Sequence, residues 1–368
     1  MKINQSEFKR ASLDVGLSES TATALWAKLE EKIADTPRFN LVHVLYYFGA
    51  LLAILAMSFF INQAWDTFGS LGLLIVSTSY MVGFFVIALS LKPSPEKRIP
   101  IGLFATLGVA TVPLVIFALQ KWGGFFEEGR TLSYHDFHVW IRSQWFYMEI
   151  ITIIVGLFAV RYFKFPFIVM PIAFTLWYLS MDIAPIIADS LGYGLNNINP
   201  DQFNSSEWNE SITSLFHLRK LTSLFFGLAM IALAYRIDFR TRQDFSFWLY
   251  LFGTITFWGG LTLLDSGSEL GKFFYFLVNL LLIGLSVFLN RRIFVVCGAI
   301  GTFSYLSHLA FKVFEDSILF MPMLLLMGVS IIWFASIVHK NGKRWEAAFI
   351  NAMPPWMQKI RPLHRIDL

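Results

Sequence analysis

An ionisable side chain inside a long apolar segment is costly to keep there, so it points to chemistry first. Three places in the sequence hold one. Asp182 sits in the run PIAFTLWYLSMDIAPIIAD, and Pro171, Thr175, Tyr178, Pro185 and Asp189 fall on its helical stripe. Tyr178 lies one turn earlier, within hydroxyl reach of the Asp182 carboxylate. Pro185 has no N–H, which leaves the Met181 carbonyl without its usual helical partner beside the acid. Glu149 stands one turn inside another apolar segment. In a third, IFVVCGAIGTFSYLSHLAFKVF, one face carries Cys297, Gly298, Gly301, Ser304, Tyr305, His308 and Lys312. In lipid, such groups serve ion or proton pathways.

Each of these residues also has a plainer reading. Asp182 and Lys312 suit an ion pair between two helices. Glu149 can snorkel to the interface. His308 suits a hydrogen-bonded core position, and Gly298, Gly301 and Ser304 allow close helix contact.

Enzyme signatures are missing. There is no HExxH and no GxxxxGK[ST], and the seven histidines are dispersed. His135 and His138 have metal-compatible spacing but no evident third ligand. No nucleophile stands beside a base, so no catalytic residue, metal or cofactor is expected. The net charge of +4 is modest, and the basic residues gather at segment boundaries, which argues against nucleic acid as a partner.

The elements that must hold these residues are membrane helices. Of 368 residues, 56% are hydrophobic and 15% charged, against ~25% charged in a soluble chain. Ten apolar segments approach the ~20 residues of a membrane helix. They are 41–61, 68–91, 101–120, 146–163, 167–188, 218–235, 247–264, 270–289, 293–313 and 318–339. With ten spans both termini share a side. That side collects 22 Lys and Arg against 7 opposite, so both termini are expected in the cytoplasm. No cleavable signal peptide is expected, because the first 40 or so residues are polar. On this topology Asp182, Glu149, Tyr305, His308 and Lys312 all lie toward the outside, where they would line a polar vestibule.

Residues 1–40 read as a helical hairpin. A first helix ends at Gly16, Ser18 caps a second, and Pro37 stops it. Residues 340–368 mix Lys343, Arg344, Lys359, Arg361 and Arg365 with Trp345, Phe349 and Trp356, an amphipathic tail for the lipid surface. The expected architecture is all-α: a polytopic transmembrane bundle over 41–339, flanked by the hairpin and the tail. The single cysteine, Cys297, excludes an intrachain disulfide.

Three stretches carry a family resemblance: Gly16-Leu17-Ser18 with Leu25 downstream, LWYLSMD at 176–182, and NRRIFVVCGAIGTFSYLSHLAFKVFEDS at 290–317. The chain resembles a group of uncharacterised bacterial predicted membrane proteins with a short helical N-terminal region and eight to ten spans. The resemblance implies a bacterial inner-membrane protein and assigns no activity. The functional expectation is a transporter or channel-like protein for a small solute or ion, with Asp182, Tyr178, Glu149, Tyr305, His308 and Lys312 along its pathway. Two other readings stand beside it: a scaffold or sensor binding a cytosolic protein through the hairpin, and an enzyme acting on a lipid or envelope precursor.

Overall fold

A computed structural model describes residues 5–33, 41–92, 97–125, 144–190, 206–241, 243–264 and 267–314, with scattered positions beyond. The segment expected at 318–339, the tail 340–368, and His135 and His138 lie outside the continuously described residues. All regular structure among the described residues is helical. The chain divides into two compact units, Met1–Ala56 and Met57–Leu368.

The first unit opens with α1 (Gln5–Asp14) and α2 (Glu19–Ile33). Gly16 takes φ +87°, a left-handed conformation favourable to glycine. There Gly16 N–H donates to the Leu13 carbonyl (2.9 Å) and Leu17 N–H to the Ser12 carbonyl (3.0 Å), which closes the end of α1. Ser18 Oγ accepts from Thr21 N–H (3.3 Å) and caps α2. Phe8 and Trp26 pack ring to ring at 5.3 Å, joining the two helices.

α3 (Leu41–Leu91) breaks at Gly69, whose φ of 61° is not helical. There follow α4 (Arg98–Trp122), α5 (Gln144–Phe163), α6 (Val169–Ser190), α7 (Ser206–Arg240), α8 (Phe247–Leu263), α9 (Glu269–Leu289) and α10 (Arg292–Phe314). Seven helices of the described residues are long and apolar enough to cross a membrane: 69–91, 98–122, 145–163, 166–184, 216–240, 269–289 and 292–309. α8 is apolar but shorter, at 17 residues. A 20-residue helix is ~30 Å long, about the hydrocarbon thickness of a bilayer. Of the ten expected spans, seven correspond to helices of full length and 247–264 to the shorter α8, while 318–339 lies outside the continuously described residues. The 41–61 segment is helical within α3.

Close approaches between helices show that neighbours in the chain run antiparallel. Leu73 packs with Phe117 and Ala118, and Phe84 meets Phe104. Gly102 lies against Phe165, and Gly156 against Ile172. Gly227 touches the backbone of Phe257, and Gly260 that of Leu224. Trp258 Nε1 donates to Asn279 Oδ1 (3.0 Å), and Gly298 and Gly301 lie on Asn279. As the number rises in one helix of each pair, it falls in the next. The described bundle therefore has two ends. Lys92, Lys97, Arg98, Arg161, Lys164, Arg236, Arg240, Arg291 and Arg292 gather at one. Glu149, Asp182, Arg219, Glu269, Lys272 and His308 lie toward the other.

Candidate functional site

Three helices bring three ionisable groups together inside the bundle. α5 supplies Glu149, α6 Asp182 and α7 Arg219. Glu149 is 2% exposed and Asp182 5%. Their carboxyls interact directly with each other, and Asp182 also feels the Arg219 guanidinium. Among the described residues neither Glu149 oxygen has a hydrogen bond of ordinary geometry, and Asp182 Oδ2 and Arg219 Nε also lack one.

Local sequence explains why the acids are left to one another. The hydroxyls nearby are committed to their own helices. Thr152 Oγ1 donates to the Met148 carbonyl (2.7 Å), Thr175 Oγ1 to Pro171 (2.8 Å) and Ser180 Oγ to Trp177 (2.6 Å). Such back-bonding is what a hydroxyl does on an apolar helix. Gly156, about two turns beyond Glu149, lets Ile172 of α6 come against the α5 backbone. That close approach sets the α5–α6 register that opposes Glu149 to Asp182.

The structure places the other expected residues elsewhere. The Tyr178 ring belongs to an aromatic group with Phe174 (5.0 Å) and Trp177 (5.2 Å). Tyr305 stacks on Phe276 of α9 at 4.9 Å. His308 Nε2 lies 3.7 Å from Glu269 Oε2, and Lys272 Nζ bonds Glu269 Oε1 at 2.9 Å. Glu269 is well exposed, so this second cluster is screened and contributes little to stability. The Lys312 side chain lies outside the described residues. Glu149 and Asp182 are brought together, while Tyr305 and His308 sit with residues of α9.

Arg219 was not expected at this site. An apolar segment starting at residue 218 makes Arg219 a boundary residue. In the structure α7 begins at Ser206, and its apolar part runs from 216. A signal was present: Ile212, Leu215 and Phe216 recur at helical spacing ahead of Leu218 and carry the helix past its polar start.

A third cluster sits at the opposite, basic end. Arg291 Nη2 donates to Asp238 Oδ1 (3.0 Å) and Asp244 Oδ1 (2.9 Å), and Nη1 to Asp244 Oδ2 (3.1 Å). Ser246 Oγ donates to Asp238 Oδ1 (2.9 Å), and the guanidinium lies 4.9 Å over the Tyr250 ring. Arg291 is 5% exposed and Asp238 fully buried. The cluster ties the α7–α8 connection to the α9–α10 turn. Asn290 makes that turn in the left-handed conformation, φ 53°.

Between α6 and α7 lies an apolar recess of about 510 Å³, lined by Ile187, Leu218, Leu221, Thr222, Phe225 and Phe226. No group of three or more His, Cys, Asp or Glu suited to a metal occurs among the described residues. The chemistry the described residues offer here is that of two buried carboxyls beside a half-buried guanidinium. No family model, no curated protein and no solved structure matches the chain.

Proposed function

We propose that the chain is a bacterial inner-membrane transporter or channel-like protein for a small ion or solute, with Glu149 and Asp182 as its ion- or proton-linked groups. One observation carries this reading. Two buried acids on neighbouring apolar helices interact with each other, their oxygens lacking hydrogen bonds of ordinary geometry among the described residues, beside one half-buried cation. A purely structural ion pair has no need of the second acid. Desolvating each charge costs several kcal/mol, and an apolar side chain at residue 149 would avoid it.

Orientation follows from the basic end of the bundle. Positive charge favours the cytoplasm, which supports a cytoplasmic basic end with the acid pair toward the outer face; if the segments expected at 41–61 and 318–339 also span, both termini are cytoplasmic. The test uses purified protein in proteoliposomes containing a pH-sensitive dye, with an inward-negative potassium diffusion potential. Protons should enter through the wild-type protein, and Asp182→Asn should abolish the flux at equal expression. Equal flux in the two proteins would remove Asp182 from the pathway.

The scaffold reading keeps one observation. Leu13, Val15, Leu17 and Leu25 of the α1–α2 hairpin are exposed, and contiguous exposed apolar residues mark contact surfaces. On that reading, deleting residues 1–36 abolishes function and leaves both the bundle and the proton flux intact.

A further inference from the structure

The geometry points to the Glu149–Asp182–Arg219 cluster being a single-proton site, in which Arg219 neutralises one carboxylate and leaves the pair room for one proton. This deepens the proposed transport role, and depends on that role only for what the proton is used for.

The inference begins with charge. Two carboxylates and one guanidinium leave one negative charge in excess. Glu149 and Asp182 are each more than nine-tenths buried. An uncompensated charge in such surroundings is strongly disfavoured. Among the described residues the interactions at Asp182 come from Glu149 and Arg219, and those at Glu149 from Asp182. Gln120 of α4 lies at the same end of the bundle and is uncharged.

Either a proton or a metal cation would restore neutrality. Hard cations take about six oxygen ligands, and two carboxyls flanked by a guanidinium are a poor cage for one. A divalent ion would moreover leave the cluster with a positive excess. A proton needs only what is present, two carboxyl oxygens facing each other. One acid, protonated, donates its O–H to the other, and the second carboxylate keeps its attraction to Arg219. Occupancy by one proton makes the cluster neutral. Release leaves it with a single negative charge, which supplies the driving force for reloading.

Arg219 thus sets the number. Without it, both acids require a proton. Without Glu149, Asp182 and Arg219 form a neutral pair and no proton is held.

Infrared spectroscopy on the full-length protein in lipid vesicles tests this by counting protonated carboxyls. At neutral pH exposed carboxylates are ionised, so the carboxylic-acid carbonyl band reports buried acids. The wild type should show a band that disappears in Glu149→Gln. Arg219→Gln should gain a second protonated carboxyl, and Arg219→Lys should retain one. A band that persists unchanged in Glu149→Gln, or an unchanged count in a folded Arg219→Gln, would overturn the proposal. Should Arg219→Gln fail to fold, the Glu149→Gln and Arg219→Lys spectra still decide. Replacing choline with sodium should leave the wild-type band intact, and its loss would make sodium the occupant and overturn the assignment. Because these spectra need no transport, failure of the flux assay leaves the proton count standing, and the reverse holds too.

Discussion

Arg291 and Arg219 show how a buried arginine acts according to its partners. Arg291 meets two aspartates, a serine hydroxyl and an aromatic ring, all with good geometry. Breaking such a buried network by removing one partner costs on the order of 3–5 kcal/mol. Asp238 is fully buried, whereas the Asp244 side chain is 43% exposed. Asp238→Asn should therefore lower the apparent unfolding temperature of the purified protein well beyond Asp244→Asn. Equal losses would show that burial does not govern this cluster. None of it is legible in the sequence, where Arg291 is one of many basic residues at a segment boundary and nothing singles out Asp238 or Asp244. The partners lie 53 and 47 positions away, and no local pattern links them. Glu149 and Asp182 were legible one by one, since a charge in an apolar run is conspicuous. Their meeting was not, because it depends on the α5–α6 register.

At the scale of elements, small residues fix how near the helices come. The stripe on α10 was readable as a surface for close contact, and the structure supplies the other side, Asn279 of α9. A methyl group added at Gly301 would collide with the Asn279 side chain. That side chain has little freedom to move, since Nδ2 donates to the Tyr275 carbonyl (2.8 Å) and Oδ1 accepts from Trp258. Overpacking of this kind costs roughly 1–3 kcal/mol. Gly301→Ala should lose stability by about that amount, and adding Asn279→Ala should return part of it, because the two sites share one space. Strictly additive losses in a thermal-shift comparison would argue against the contact. α7 and α8 use Gly227, Gly253 and Gly260 in the same way. Spacing alone did not reveal this, since the three glycines belong to two segments whose alignment only the fold sets. Helix lengths were more legible than helix starts. α7 carries a polar start over 206–215 that hydropathy assigns to a loop, and this conceals Arg219.

For the whole molecule, the decisive property is the alternation of the helices across the bilayer. Contacts from Phe84–Phe104 through Trp258–Asn279 to Gly301–Asn279 impose it on α3 to α10 irrespective of any hydropathy scale. They also separate the two buried charge clusters, with Arg291 at the basic end and the acid pair toward the other. Lipid makes the distinction matter. On the transport reading, a proton taken up by Glu149 and Asp182 at one face has to pass the level of the Arg291 network, or around it, to reach the other. Opposite exposure of the two ends is thus a condition of the transport reading, and it can be measured on intact and opened cells. In a Cys297→Ser background, a cysteine at Lys97 or Arg292, both exposed at the basic end, should react with a membrane-impermeant maleimide only after the cells are opened. One at Ser268, exposed at the start of α9, should react in intact cells. Reaction of all three under the same condition would break the alternation and the transport pathway with it. Reaction of Ser268→Cys alone after opening would invert the protein, placing the acid pair toward the cytoplasm and the proton's entry on that side.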